Sequence, residues 1–206
     1  MDAAPANKLV VFVKAPRPGL VKTRLAQAIG DETACAVYCE LVAAVLDRIG
    51  IISSLELRFS PDDASDEIAS WMRPGWTMRP QGVGSLGERM HRAFLERFES
   101  GARRVVIIGS DSPEISATDI CEAWEALKSH DVVLGPAVDG GYWLIGLRGP
   151  CAELFEGISW STDSVMRETL VRIDQTKLTF RLLRHLNDVD VEPDVRAWRL
   201  RQADER

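Results

Sequence analysis

Residues 8–26 read KLVVFVKAPRPGLVKTRLA, an apolar β-branched run that passes straight into a loop shaped by glycine and proline. Lys14, Arg17, Lys22 and Arg24 fall in that loop with no acid among them, in a chain of 206 residues whose formal net charge is −6. Cations crowded together repel one another unless an anion or neighbouring acids offset them. A buried strand that ends in a basic loop and leads into a helix is how α/β folds seat phosphates. A solvated basic turn would use the same residues. The position of the loop after the first strand favours a phosphate ligand.

Composition narrows the field. The length fits one domain over residues 1–206, and 46% apolar with 27% charged residues is ordinary for a soluble globular protein. The acidic balance argues against nucleic acid as partner, since broad basic surfaces drive that affinity. No apolar run approaches the roughly 20 residues of a bilayer span. Residues 1–7, MDAAPAN, lack the cationic start and apolar stretch of a signal peptide. Cys35, Cys39, Cys121 and Cys151 show no C-x-x-C spacing, and too few histidines accompany them for a zinc site. The expected setting is cytoplasmic and reduced.

Apolar strands alternate with helix-period segments, which implies βαβ units and a mainly parallel sheet. Strands are expected at 9–13, 55–59, 76–79, 105–108, 132–134, 142–147 and 178–183. The run at 105–108 is wholly apolar and β-branched, as in a central strand covered on both faces. Asp31 is expected to cap a helix with apolar positions Ala34, Val37, Tyr38, Leu41, Val45 and Ile49. Further helices are expected at 66–71, 86–98, 116–127 (opening S-x-x-D), 162–173, and from Pro193 through Trp198 into a fraying RQADER tail. In the 86–98 helix, Leu86, Met90, Ala93, Phe94 and Phe98 share one face and are expected in the core. No linker, low-complexity tract or repeat interrupts the chain.

Ligands of open α/β sheets gather beyond the carboxyl ends of the strands, and acids fall at three such edges. Asp111 follows VVIIGS and precedes Ser112-Pro113. A magnesium or manganese ion takes one or two protein carboxylates and completes its shell with phosphate and water, a task suited to Asp111; a turn before proline is the structural alternative. Asp139 precedes Gly140-Gly141, strong turn chemistry that also lets a ligand approach the backbone. Asp188 and Asp190 lie in LNDVDVEPD and serve either the site or the cap of the final helix.

Residues 82–89, GVGSLGER, form a glycine-rich lead into a helix whose amides would be free to meet a base or phosphate. Residues 155–165, FEGISWSTDSV, place Trp160, Ser161 and Thr162 just before a helix: Ser161 or Thr162 as N-cap, Trp160 as core or as the wall of an acceptor pocket. There is no Walker sequence, and the glycines lack the first-strand placement of a Rossmann fingerprint. His91, His130 and His185 belong to neither H-E-x-x-H nor a G-x-S-x-G elbow.

Taken in order, VFVKAPRPGLVKTRLA, GSLGERMHRAF, VVIIGSDSPEIS, LGPAVDGGYWLIGL, FEGISWSTDSV and LNDVDVEPDV span almost the whole chain. Together they resemble the bacterial glycosyltransferase-like family long catalogued as a domain of unknown function, within the GT-A (nucleotide-diphospho-sugar transferase) superfamily. A more distant likeness is to nucleotidyltransferases that make the guanylated precursors of deazaflavin and molybdenum cofactors. The resemblance implies a Rossmann-like, three-layer αβα sandwich with a mixed, mainly parallel sheet. It implies that Lys14, Arg17, Lys22 and Arg24 seat the nucleotide, with Gly84 to Arg89 near the base. Asp111 would hold Mg²⁺ or Mn²⁺ on the diphosphate, with Asp188 and Asp190 as further acids by the metal. Asp139, Gly140, Gly141, Trp160, Ser161 and Thr162 would face the donor sugar or acceptor, with Asp111 and Asp139 as the catalytic acids. The superfamily often writes its metal motif D-x-D, whereas Asp111 here is followed by Ser112-Pro113. The implied activity is transfer of a sugar from a nucleotide sugar to a small acceptor; the alternative is guanylyltransferase-like condensation of an NTP with a phosphorylated small molecule. Nothing in the pattern fixes an oligomeric state.

Overall fold

The opening apolar run becomes strand β1 (Asn7–Lys14) in the computed structural model, which describes residues 6–204. Residues 1–5 of the segment examined for a signal peptide, and the last two of the RQADER tail, lie outside the described residues. Side chains alternate across a strand, so Leu9, Val11 and Val13 pack on one side of β1 while Val10 and Phe12 face the other. The first side is covered by α2 (Asp31–Arg48) and α5 (Ala117–Ala126), the second by α4 (Leu86–Glu99) and α6 (Val165–Thr176). Helices on both faces of one sheet make the expected three layers.

The sheet runs β3 (Thr77–Pro80), β2 (Leu55–Ser60), β1, β4 (Arg104–Ile108), β6 (Tyr142–Leu147), β5 (Val132–Pro136), β7 (Phe180–Leu182). Only β6 runs against its neighbours; Leu9 of β1 lies opposite Leu55 on one side and Val106 on the other. After β3 the chain crosses back over β1 to lay down β4. The strand order therefore reverses between β1 and β4, which brings the carboxyl ends of these two strands to the same rim, where such folds bind ligands. Val105 through Ile108 are all buried, each stabilising the fold by about 1.5–3 kcal/mol relative to exposure.

Several local details depart from the sequence expectations. Gly30, not Asp31, is the N-cap of α2, and Asp31 enters the first turn, where its charge meets the helix dipole without a capping hydrogen bond. A short helix α1 (Thr23–Ile29) precedes it, and α3 (Ser65–Ile68) continues into a 3₁₀ turn at Ala69–Trp71. Leu86 is exposed rather than core, because it starts α4 at the rim of a cleft, whereas Met90, Ala93 and Phe94 are buried as expected. Helix α6 begins at Val165 rather than at Thr162, with Ser164 as its N-cap and turn structure over 162–164. Ser116 and Asp119 do form the reciprocal cap of α5. The final helix is α7 (Glu192–Asp204); Asp194 accepts the amides of Asp190 and Val191, so neither Asp188 nor Asp190 is spent on the cap.

Strand β2 buries two charges. Glu56 and Arg58 are 0% and 1% exposed, and the Arg58 guanidinium donates to Glu56 Oε1 at 2.5 Å and to Glu96 Oε2 at 2.5 Å on α4. Arg97 completes the group at 3.0 Å from Glu56 Oε2. Removing one partner strands a buried charge, whereas replacing the pair with apolar groups of similar size does not. Arg58→Ala is expected to lose about 3–5 kcal/mol in urea denaturation, and Glu56→Met/Arg58→Met/Arg97→Met, which removes the whole buried group, to recover most of it.

Candidate functional site

A cleft of about 980 Å³ opens at the carboxyl ends of β1 and β4. Its apolar floor is Phe12, Met90, Ile107, Ile145 and Val165, and its mouth is charged, with cations from the β1 loop and α4 facing carboxylates from the loops after β4 and β5 and from 188–190. Lys14, Lys22, Arg24, Gly84, Arg89, Asp111, Asp139, Gly141, Trp160, Ser161, Thr162, Asp188 and Asp190 all line it. These residues lie far apart in sequence, and the sheet rim brings them to one place.

Two expected residues lie elsewhere. Arg17 is absent from the cleft lining because its guanidinium is held by Glu67 at 2.6 Å and Asp63 at 3.1 Å, which satisfies the charge that suggested a phosphate ligand. Gly140 sits beneath the 159–164 loop, not in the lining. It has φ 90°, and a Cβ there would come within 2.2 Å of the Asp163 carbonyl.

The β1 loop is anchored from α2. Tyr38 Oη accepts the Lys14 amide at 2.7 Å and donates to the Lys14 carbonyl at 3.1 Å. Burial pushes the Tyr38 phenol above its ordinary range, so it stays a neutral donor. From there Lys14 projects outward with no acid paired to it among the described residues. Lys22 does the opposite. Its backbone is left-handed (φ 47°), its side chain is only 4% exposed, and its ammonium bridges Asp111 Oδ1 and, at 3.0 Å, Asp190 Oδ1. Burial alone would lower the Lys22 pKa, but the two carboxylates outweigh it and raise it. Strained non-glycine backbone concentrates at functional sites, and Lys22 and Ser161, two of the three such residues described, line this cleft.

Opposite the loop, Arg89 donates to the Gly84 carbonyl at 2.9 Å and lies 3.4 Å from both Ser60 Oγ and Gln81 Oε1, without a carboxylate partner among the described residues. Of the amides expected to be free at the start of α4, two are occupied: Ser85 and Glu88 form a full capping box that takes both of their N–H groups. Gly87 is glycine for a packing reason, since a Cβ would fall 2.4 Å from Trp160 Nε1. The indole thus lies against the first turn of α4 and stacks on Phe155, being core and cleft wall at once. Thr162 accepts the Ser164 amide at 3.3 Å, and Asp139 accepts the Gly141 amide at 2.9 Å, so the turn reading and the cleft position of Asp139 coexist.

The acidic side is crowded. Asp111 is half exposed, and its carbonyl accepts the Val189 amide at 2.9 Å, tying the loop after β4 to 188–190. Asp188 accepts from Ser112 Oγ. Burial, helped by the charges of Asp111, Asp139 and Asp190, pushes the Asp188 carboxyl up to about 6 despite that hydrogen bond. Sequence reading missed Tyr38, Gln81, Ser112 and Asp163. Tyr38 looked like one more apolar helix position, and only Ser112, next to Asp111 before a proline, carried a local signal.

Residues 50–162 match the family described as an uncharacterized protein conserved in bacteria, DUF2064. The chain belongs to that family. A solved structure from Desulfovibrio desulfuricans G20, provisionally assigned as a nucleotide-diphospho-sugar transferase, shares 34% identity with this DUF2064 chain, covering 90% of it and 83% of its own length at a TM-score of 0.85. CMP:2-keto-3-deoxy-manno-octonic acid synthetase complexed with CTP is 11% identical over 97% and 99% of the two chains, with a TM-score of 0.61. Rv0371C of Mycobacterium tuberculosis H37Rv, in complex with manganese, is 15% identical over 93% and 97%, with a TM-score of 0.54. At such identities the last two show the fold alone. No curated protein sequence matches the chain.

The raised carboxyl of Asp188 means that its charged form is disfavoured in the folded state, so stability falls as pH rises from the unfolded value near 4 through about 6. Asp188→Asn, which keeps an acceptor for Ser112, is expected to gain about 2 kcal/mol at pH 8 in chelator and nothing near pH 3.5, read by denaturant titration at each pH.

Proposed function

We propose that this DUF2064 chain is a nucleotide-using transferase that moves a sugar from a nucleotide diphosphate sugar to the hydroxyl of a small acceptor. The observation that carries this reading is the meeting, in one cleft, of unpaired cations on the β1 loop and α4 with the carboxylates of Asp111, Asp139 and Asp188. A volume of about 980 Å³ has room for a nucleotide and a sugar together.

Bond cleavage at the donor gathers negative charge on the departing diphosphate. Lys14 and Arg89, with Arg24 at the rim, aim positive charge at that growing anion and favour it over the ground state. Lys22 is already matched by Asp111 and Asp190 and is not free for phosphate in the same way. Asp139, fixed by the Gly141 amide and facing the cleft beside Trp160, Ser161 and Thr162, is placed to take the proton of an acceptor hydroxyl.

The acidic side suits Mg²⁺ or Mn²⁺. Asp111 and Asp188 offer hard oxygen donors, and Asp188 has no cation paired to it among the described residues. No group of three or more His, Cys, Asp or Glu among the described residues could hold a metal unaided. That accords with an ion that draws its remaining ligands from a diphosphate and water. When bound, such an ion supplies Lewis-acid neutralisation of the leaving diphosphate.

A second reading, nucleotidyl transfer from an NTP to a phosphorylated acceptor, uses the same groups. It is favoured by one observation, that the fold of a CTP-complexed synthetase spans 97% of this chain.

Thermal shift with UDP-, GDP-, CDP- and dTDP-sugars and with NTPs, each with and without Mn²⁺, is expected to give a selective stabilisation by one nucleotide sugar that grows with the metal. Turnover should then release nucleoside diphosphate. Pyrophosphate release from an NTP would transfer the assignment to the second reading, and no stabilisation by any nucleotide would sink both. Arg89→Ala is expected to weaken nucleotide binding roughly tenfold, the worth of one charge-assisted hydrogen bond, without lowering Tm.

A further inference from the structure

Asp190 was expected to be a metal ligand, yet its oxygens already face cations of the chain itself. Oδ1 lies 3.0 Å from Lys22 Nζ and Oδ2 lies 3.6 Å from Arg24 Nη1. Lys22 meets Asp111 Oδ1 more closely still, leaving the other Asp111 oxygen with no cation paired to it among the described residues, and its ammonium is nearly sealed from water, with a side chain 4% exposed. The bridge depends on an unfavourable backbone: Lys22 stands in the left-handed region at the N-cap of α1, without any side-chain cap of its own to reward that conformation. Asp188, by contrast, accepts from the Ser112 hydroxyl and has no cation paired to it among the described residues. We infer that Lys22 is a built-in cation shared by Asp111 and Asp190 which, with Arg24, takes up both oxygens of Asp190, so that a divalent ion is held by Asp188 and the remaining oxygen of Asp111, and that Lys22 and Asp190 act as positioning residues that keep the site to this one arrangement. This rests on the reading of the cleft as metal-using.

The ammonium and the metal compete for the same electron-rich oxygens. Like charges a few ångströms apart repel even at the effective dielectric of a partly buried site. Lys22 therefore weakens divalent binding while fixing Asp111, and removing it exposes Asp190 as an additional ligand. The role differs from phosphate binding, in which losing Lys22 would leave metal affinity alone.

The test is Mn²⁺ binding to the intact chain, followed by electron paramagnetic resonance of free Mn²⁺ and by calorimetry, without nucleotide. Asp188→Asn is expected to weaken binding by at least about tenfold, as loss of a ligand does, and Asp190→Asn by less than about threefold. Lys22→Met is expected to tighten binding about tenfold, and adding Asp190→Asn to it to remove that gain. Equal losses for Asp188→Asn and Asp190→Asn would overturn the assignment, as would unchanged or weaker binding in a folded Lys22→Met protein. If Lys22→Met does not fold, the comparison of the two acid variants decides alone. Failure of the unaltered chain to bind Mn²⁺ at all would instead remove the metal from the proposed function, and this assignment with it.

Discussion

The adjacency of β1 and β4 is the constraint on which the rest depends. Two parallel strands laid down almost a hundred residues apart end side by side because the chain reverses its direction of sheet growth there. Everything with chemical potential hangs from those two ends: the basic loop on one, the Asp111 loop on the other. The parallel pairing of Leu9 with Val106 and Val11 with Ile108 sets the span between the basic loop and the Asp111 loop. Hydrophobic burial supplies the rigidity, and the electrostatics at the rim then act across a span that is already set.

That rim is held at an energetic disadvantage. Lys22 and Ser161 carry strained backbone, Asp188 is buried among like charges, and the cations Lys14 and Arg89 lack acidic partners. A cation beside Asp188 and an anion beside Lys14 and Arg89 would offset those unbalanced charges. Elsewhere the chain resolves its charges internally. The Glu56–Arg58–Arg97 group and the Arg17–Glu67 pair are closed sets in which every charge has an opposite neighbour.

How much of this was legible depended on the range of the interaction. Alternating strands and helices, the central strand at Val105 to Ile108 and the S-x-x-D cap at Ser116 follow from local pattern, and all appear in the structure. Asp111, Asp139, Asp188 and Asp190 could be picked out because they fall at the carboxyl ends of strands, although each also suited a turn or a cap. Family resemblance supplied what pattern could not, joining those acids to the basic loop. Arg17 could not be separated from Lys14 by sequence, because its partner Glu67 lies fifty positions away on another element. For the same reason the burial of Lys22 was invisible, since a lysine in a basic loop signals exposure until the acids that enclose it are located. The glycines of the 82–89 segment suggested open amides, whereas one of them serves an aromatic neighbour some seventy residues downstream.

That last contact ties two parts of the molecule mechanically. With no side chain at Gly87, the Trp160 indole rests directly on the backbone of α4, while its other face leans on Phe155. Arg89 lies half a turn further along the same helix. The loop on the proposed acceptor side and the helix on the proposed nucleotide side are thereby geared through one ring. Any side chain at position 87 would therefore displace the Trp160 wall of the cleft and the first turn of the Arg89 helix together.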